Sequence, residues 1–274
     1  MIPQDYLKTF NNYYEFNYTV TLHCNLNCKG CRLFSPIQDK YEISMKQVLE
    51  DIKNLKRIGF SDKNLSLNLF GGEPLIHRGI ESIIRVIPFN LGLLTNAKFL
   101  QKNTPSLFKT LKSKNIKPCI SYYPNSRINY DLVHKNLDMY NIEHVNVQQY
   151  SAVKVNEYKD TFIISRIDTQ GRYNAIEQFD NCKSFVPMIF EGKLFKCHIF
   201  SLKALEKFDF KYDLVKHKDY IELSDINNIV EIREFLKDPC EFCRYCGSDG
   251  INGSKNINEE IKWDFSRKEK SEWF

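Results

Sequence analysis

The chain has 274 residues, 42% hydrophobic and 27% charged, with a formal net charge of +5. That length allows one large domain, or a large one with a small appendage, and the composition excludes disordered and fibrous classes. The basic residues are scattered among acids, so the charge reads as solvated surface and not as a nucleic-acid patch, while a basic pocket for a phosphorylated or nucleotide-linked substrate stays open.

The first residues show no basic start followed by an apolar run, and no later stretch offers about 18 uninterrupted apolar residues. The expectation is a cytoplasmic protein with no membrane segment. Nine cysteines, an odd count, in a reducing compartment point to metal ligation or chemistry and not to disulfides.

Between residue 16 and about 166, short apolar runs alternate with amphipathic stretches, as in a parallel α/β fold. Strands are expected over 16–23, 65–70, 91–95, 118–122, 145–150 and 161–165. A helix opens at Ser44, whose hydroxyl caps the first turn while Gln47 reaches back, and Gly59 supplies the left-handed stop. Met45, Val48, Leu49, Ile52 and Leu55 recur at helical spacing and should pack on the sheet. After about residue 180 the alternation stops. A hairpin over 188–197, turning at Glu191-Gly192-Lys193, is followed by a helical piece and a cysteine-rich segment, which reads as a second small domain. From Ile251 onward the chain is rich in Lys, Glu and Asn, a surface tail or helix.

The segment His23-Cys24-Asn25-Leu26-Asn27-Cys28-Lys29-Gly30-Cys31 places three thiols directly after the first expected strand. A closed zinc site or an electron-transfer cluster wants four protein ligands, so a local trio leaves a position for a small molecule. The alternative reading of the trio is a structural zinc knuckle. The second strand runs into Phe70-Gly71-Gly72-Glu73-Pro74, where glycines let the backbone approach a ligand closely.

These two segments resemble the radical S-adenosylmethionine (SAM) superfamily, whose signature is CxxxCxxC after the first strand of a partial (β/α)6 barrel. The resemblance implies a 4Fe-4S cluster on Cys24, Cys28 and Cys31, with the open iron chelating SAM and reductive cleavage giving a 5′-deoxyadenosyl radical. It assigns Gly71, Gly72 and Glu73 to the GGE motif that holds the SAM ammonium, and Asn96 and Ser121, at later strand ends, to ribose or carboxylate contacts; turn capping is the other role open to these two. The residue before the third cysteine is often aromatic in the family and is Gly30 here, with Phe34 either covering that gap or packing.

Cys182, nine residues, Gly192, four residues and Cys197, followed after a gap by Cys240, Cys243 and Cys246, resemble the CX9-15GX4C opening of SPASM and twitch auxiliary-cluster domains. Five cysteines are too few for two auxiliary clusters, so the resemblance implies one 4Fe-4S cluster in a twitch-type hairpin-and-helix domain, on Cys182, Cys197, Cys243 and Cys246. Cys240 either replaces Cys243, donates a hydrogen atom or is a passive small residue, the last being preferred; Cys119 reads as an apolar residue. A zinc site on the same thiolates is the alternative. Lone histidines (His23, His77, His198) are read as satisfied hydrogen bonders and not as ligands.

The implied domains are 1–180 for the barrel, 181–250 for the auxiliary-cluster unit and 251–274 for a tail. Similarity to the aminocyclitol dehydrogenase and to carbohydrate-associated radical SAM proteins implies hydrogen abstraction from a sugar, cyclitol or nucleotide-linked sugar, oxidation of an alcohol to a ketone, and a flavodoxin- or ferredoxin-type electron donor. Arg166, at the end of the sixth expected strand, is the candidate for substrate binding or proton removal, or else pairs with Asp168 at the surface. A peptide-modifying enzyme is a rival that the short stretch before the first strand disfavours, and a zinc-stabilised scaffold without chemistry is another.

Overall fold

The computed structural model describes residues 13–123, 126–148, 161–165, 167–182, 185–246 and 258–262. Its first strand, β1 (Tyr14–Thr21), is buried at every residue except Glu15, as expected of a strand covered on both faces. Phe16, Tyr18 and Val20 belong to the main apolar core, while the alternate residues Asn17, Thr19 and Thr21 are buried polar groups. One face of β1 therefore packs on helices and the other looks into a polar interior.

β2 (Leu65–Gly71), β3 (Asn90–Thr95), β4 (Pro118–Tyr122) and β5 (Val145–Gln148) follow in parallel on one side of β1. The strand order is β5-β4-β3-β2-β1-β7-β8-β9, where β7 is Met188–Phe190, β8 is Lys193–Phe195 and β9 is Tyr220–Glu222. β7 runs parallel to β1, with Asn17 opposite Met188, so the expected hairpin extends the same sheet. Its turn carries Glu191 at φ 48° and Gly192 at φ 74°, the positive pair that a tight two-residue hairpin connection requires.

The sixth expected strand forms but joins a different sheet: β6 (Thr161–Ser165) pairs antiparallel with β10 (Asn258–Lys262). Residues 258–262, expected as tail or helix, are thus a strand. An apolar run dictates that a strand will form, whereas the edge it joins is decided by which partner reaches it.

The helices are α1 (Met45–Ile58), α2 (Ile80–Val86), α3 (Pro105–Ser113), α4 (Tyr130–Met139), α5 (Ala175–Asp180) and α6 (Ile229–Leu236). α1 is capped as its sequence predicts: the Ser44 hydroxyl accepts from Gln47 N, and Gly59 stops the helix at φ 111°. The Gln47 side chain does not reach back, however, but donates to Asp51 Oδ1 at 2.9 Å. Val48, Ile52 and Leu55 are buried as expected, yet Leu49 is 52% exposed because it lies at the edge of the stripe. Leu55→Ala should cost about 2–5 kcal/mol and Leu49→Ala no more than about 0.5 kcal/mol, measured by urea unfolding.

Asp51 is a buried carboxylate on the sheet side of α1, where it accepts from the Tyr18 hydroxyl at 2.8 Å. Burial raises its pKa from an ordinary 3.8 to about 6, and the bonds from Gln47 and Tyr18 offset only part of this. The folded chain therefore holds this proton more tightly than the unfolded one, and the resulting stability is present below about pH 4 and lost as pH rises through about 6. Denaturation midpoints between pH 4 and 7 should show Asp51→Asn gaining on the parent chain as pH rises; a constant difference would contradict the assignment.

α1 also ties the two halves of the sheet together. The Arg57 guanidinium donates to the carbonyls of Leu223, Ser224 and Ile226, which follow β9, at 2.7–3.1 Å.

Candidate active site

The cysteine loop leaves β1 at Leu22 and is held against the end of β2. Gly72 N donates to Thr21 O and Glu73 N to His23 O, both at 3.0 Å. The two glycines are needed for this approach: an added Cβ would lie 2.0 Å from Thr21 O at Gly71 and 2.1 Å from His23 O at Gly72. Gly71 is also at φ 144°, a conformation closed to side chains.

Glu73 is fully buried. Its Oε1 accepts from Leu75 N at 3.0 Å and from the Thr95 hydroxyl at 2.8 Å, and its Oε2 from Asn96 N at 2.7 Å. Burial pushes its pKa up to about 7 despite these three donors. The carboxylate thereby joins the ends of β2 and β3 and retains lone pairs for a further donor.

Asn96 links this strand end to the cysteine loop, its Nδ2 donating to Asn25 Oδ1 at 2.8 Å and lying 3.5 Å from Cys24 Sγ. Burial, then the Glu73 carboxylate, raise the Cys24 thiol to about 12 against the Leu26 N–H and the Asn96 side chain. Cys28 is pushed up by burial and by Cys31 and Cys24. Cys31 is raised by burial while backbone N–H groups of the 33–35 turn work the other way. The three sulfurs thus share one poorly solvated loop, where neutral thiols are favoured until a metal takes their protons.

One cavity of about 260 Å³ is lined by Cys31 and Arg32, by Gly71, Gly72 and Glu73, by Asn96 and Ser121, and by His198. Sequence-assigned Gly71, Gly72, Glu73, Asn96 and Ser121 therefore come together. The lining also includes polar residues that were not assigned, among them Asn17, Arg32, Thr95, Tyr123 and His198. Asn17 was detectable as a polar residue on the alternate face of an apolar strand. His198 was not, because its place depends on β7 lying beside β1. Gly30 sits at φ 63°, which explains why no aromatic side chain stands there. Phe34 is buried in the second apolar cluster with Met188 and Phe195, a packing role. His77 is satisfied by Ile43 O and Gly79 N.

The second group lies beyond β8. Cys197 precedes a 3-10 helix, His198–Phe208, and Cys243 lies within the turn Glu241–Arg244, with Cys240 before it and Cys246 after it. Cys240, read from sequence as passive, lies 3.5 Å from Cys243 Sγ and is hydrogen-bonded to Cys197. These bonds lower its pKa against burial and raise that of Cys197. Cys243 lies within electrostatic reach of Cys240, Cys246 and Cys182. Cys182 packs on the main core, while Cys197, Cys240 and Cys246 belong to the second cluster and Cys243 touches both. The other four thiols thus lie within electrostatic reach of Cys243.

Two braces fix this group. Gln38 Nε2, seven residues past Cys31, donates to Ser201 O at 2.7 Å. Asp168 N donates to Tyr245 O at 2.9 Å and Tyr173 N to Arg244 O at 3.1 Å. Asp168, the suggested surface partner of Arg166, is held by Arg172 Nε and Nη2 at 3.1 and 3.0 Å. Arg166 itself lies outside the described residues. Cys119 is half-buried on β4.

Among the described residues no group of three or more His, Cys, Asp or Glu side chains is arranged to hold one metal ion. A 4Fe-4S cluster binds each thiolate through a separate iron and does not ask for that convergence, and an all-sulfur donor set of this kind suits it. None of the described helices is long and apolar enough to cross a membrane.

No family model matches the chain. Curated proteins similar to part of it include two bacterial enzymes. The S-adenosylmethionine-dependent nucleotide dehydratase of Selenomonas ruminantium is 31% identical over 90 residues, covering 32% of this chain and 31% of that protein. The GTP 3′,8-cyclase of Campylobacter fetus subsp. fetus (strain 82-40) is 30% identical over 97 residues, covering 32% of this chain and 29% of that protein. The matches thus span about a third of the length of these relatives. Among solved structures, native anSMEcpe with bound AdoMet superposes with a TM-score of 0.48 at 12% identity, over 88% of this chain and 85% of that one. HydG, a maturase of the FeFe-hydrogenase, gives 0.36 at 17% identity over 53% of this chain and 37% of that one.

Proposed function

We propose, proceeding from the radical SAM superfamily that the curated relatives support for this chain, that the protein is an enzyme abstracting hydrogen from a sugar, cyclitol or nucleotide-linked sugar and oxidising an alcohol to a ketone. Bound SAM and its cluster would supply the radical, and a second 4Fe-4S cluster would accept the remaining electron of the two-electron oxidation. Cys24, Cys28 and Cys31 hold the first cluster in this reading, and Cys182, Cys197, Cys243 and Cys246 hold the second, with Cys240 as the one alternative to Cys243. The 71–73 backbone and the Glu73 carboxylate bind the SAM ammonium, with Asn96 and Ser121 on its ribose or carboxylate. Arg166 keeps its proposed part in substrate binding or proton removal. The division into 1–180, 181–250 and 251–274, the cytoplasmic location and the flavodoxin- or ferredoxin-type donor belong to the same proposal.

The observation that carries the reading is the shared cavity: Cys31 of the first group and His198, the neighbour of Cys197, line the same space. A substrate there would lie against the first cluster's loop and one residue away from Cys197 of the second group. Among the substrates considered, a nucleotide-linked one draws support from the two relatives, whose names specify a nucleotide and GTP.

The test is anaerobic incubation with SAM, dithionite and candidate sugars and nucleotide-linked sugars deuterated at the carbinol carbon. Deuterium in 5′-deoxyadenosine together with a ketone product supports the reading. Labelled 5′-deoxyadenosine only from a deuterated peptide would transfer the chain to the peptide-modifying class. A colourless protein containing zinc and neither iron nor sulfide would remove the radical chemistry altogether.

A further inference from the structure

Lys196 stands between β8 and Cys197 and is only 3% exposed. Its ammonium donates to Asp238 O at 2.9 Å and Pro239 O at 3.4 Å, the two carbonyls directly before Cys240. It also lies 4.5 Å from the centre of the Phe235 ring. Its backbone N–H donates to Asp219 O at 3.2 Å, but the Asp219 carboxylate is engaged by Tyr212 Oη, Val215 N and Glu241 N at 2.9–3.0 Å. The ammonium thus bonds directly to two neutral carbonyls and an aromatic face, with the Asp238 and Asp219 carboxylates within electrostatic reach.

A lysine is rarely buried so deeply without an opposing charge, because desolvating the ammonium is costly. Asp238 and Asp219 supply part of that charge, and the five-thiol group, with Cys240 and Cys243 within electrostatic reach of Lys196, supplies more once its sulfurs are deprotonated by metal. We propose that Lys196 is a positioning charge that raises the reduction potential of the iron-sulfur cluster held by this group, an inference that rests on the proposed second cluster. Reduction adds one electron, and therefore one negative charge, to the cluster and leaves Lys196 chemically unchanged. A fixed cation in a poorly solvated site stabilises the reduced state more than the oxidised one. A raised potential is what an acceptor of a substrate-derived electron requires.

The experiment uses the full chain carrying Cys24→Ala, Cys28→Ala and Cys31→Ala, so that the remaining iron reports on the second group alone. Its midpoint potential is followed by EPR in a redox titration, with Lys196 intact and with Lys196→Gln, Lys196→Met and Lys196→Arg. The neutral variants should bind iron normally and be harder to reduce by at least tenfold in the one-electron equilibrium, about 59 mV. Lys196→Arg should stay close to the parent value. Unchanged potentials in both neutral variants overturn the proposal, and loss of iron from both assigns Lys196 a folding role and overturns it as well. Absence of iron from the parent triple variant is a separate result, which removes the second cluster itself and the inference with it.

Discussion

Cys28→Ala should form no detectable 5′-deoxyadenosine from SAM under anaerobic reducing conditions, and its reconstituted iron should fall by about half if two 4Fe-4S clusters are present. Cys28 is buried in a small cluster with Leu26, Tyr123 and Ile128, so trading its sulfur for a hydrogen should cost the fold only about 1 kcal/mol. The combination of lost cleavage and retained folding, read by chromatography, iron assay and thermal unfolding, separates a ligand from a packing residue. Full iron content with normal cleavage would exclude Cys28 as a ligand.

Damage of a different kind is expected at the strand ends. Gly71→Ala would put a methyl group 2.0 Å from Thr21 O at a left-handed backbone, and should destabilise the chain by about 3 kcal/mol or more. Glu73→Ala leaves the N–H groups of Leu75 and Asn96 and the Thr95 hydroxyl without their acceptor, at about 1–3 kcal/mol each. Glu73→Gln keeps the shape and part of the acceptor capacity and should be milder in stability. Urea unfolding and SAM affinity by calorimetry give the order; equal stability of Glu73→Ala and Glu73→Gln would show that the three bonds contribute little.

The parts of the molecule readable in advance were those governed by local periodicity. Short apolar runs marked β1 to β5, and a cap residue at each end marked α1. Leu49 escaped because helical spacing defines a stripe but not how wide a stripe the sheet covers. Gln47 escaped because a glutamine at that position serves a capping box or an inward carboxylate equally well, and Asp51 took it. The pairing of β6 with β10 joins residues about a hundred positions apart, and nothing local records it. The site shows the same division. The loop Cys24 to Cys31 and the 71–73 turn are contiguous and were legible, and Asn96 and Ser121 could be placed from strand ends. The role of Cys240 has no local signal, because three sulfurs at equal CxxC spacing are indistinguishable in the sequence.

The parallel pairing of β7 with β1 also covers an edge of the sheet. Without β7, the inner strand Tyr14–Thr21 would become a bare margin, eight residues long and with seven of them normally covered. Such a margin invites another copy to dock and nucleates aggregates. A chain shortened to end before Met188 should accordingly precipitate when it is made, and expressing the first two thirds alone is a poor route to studying its chemistry.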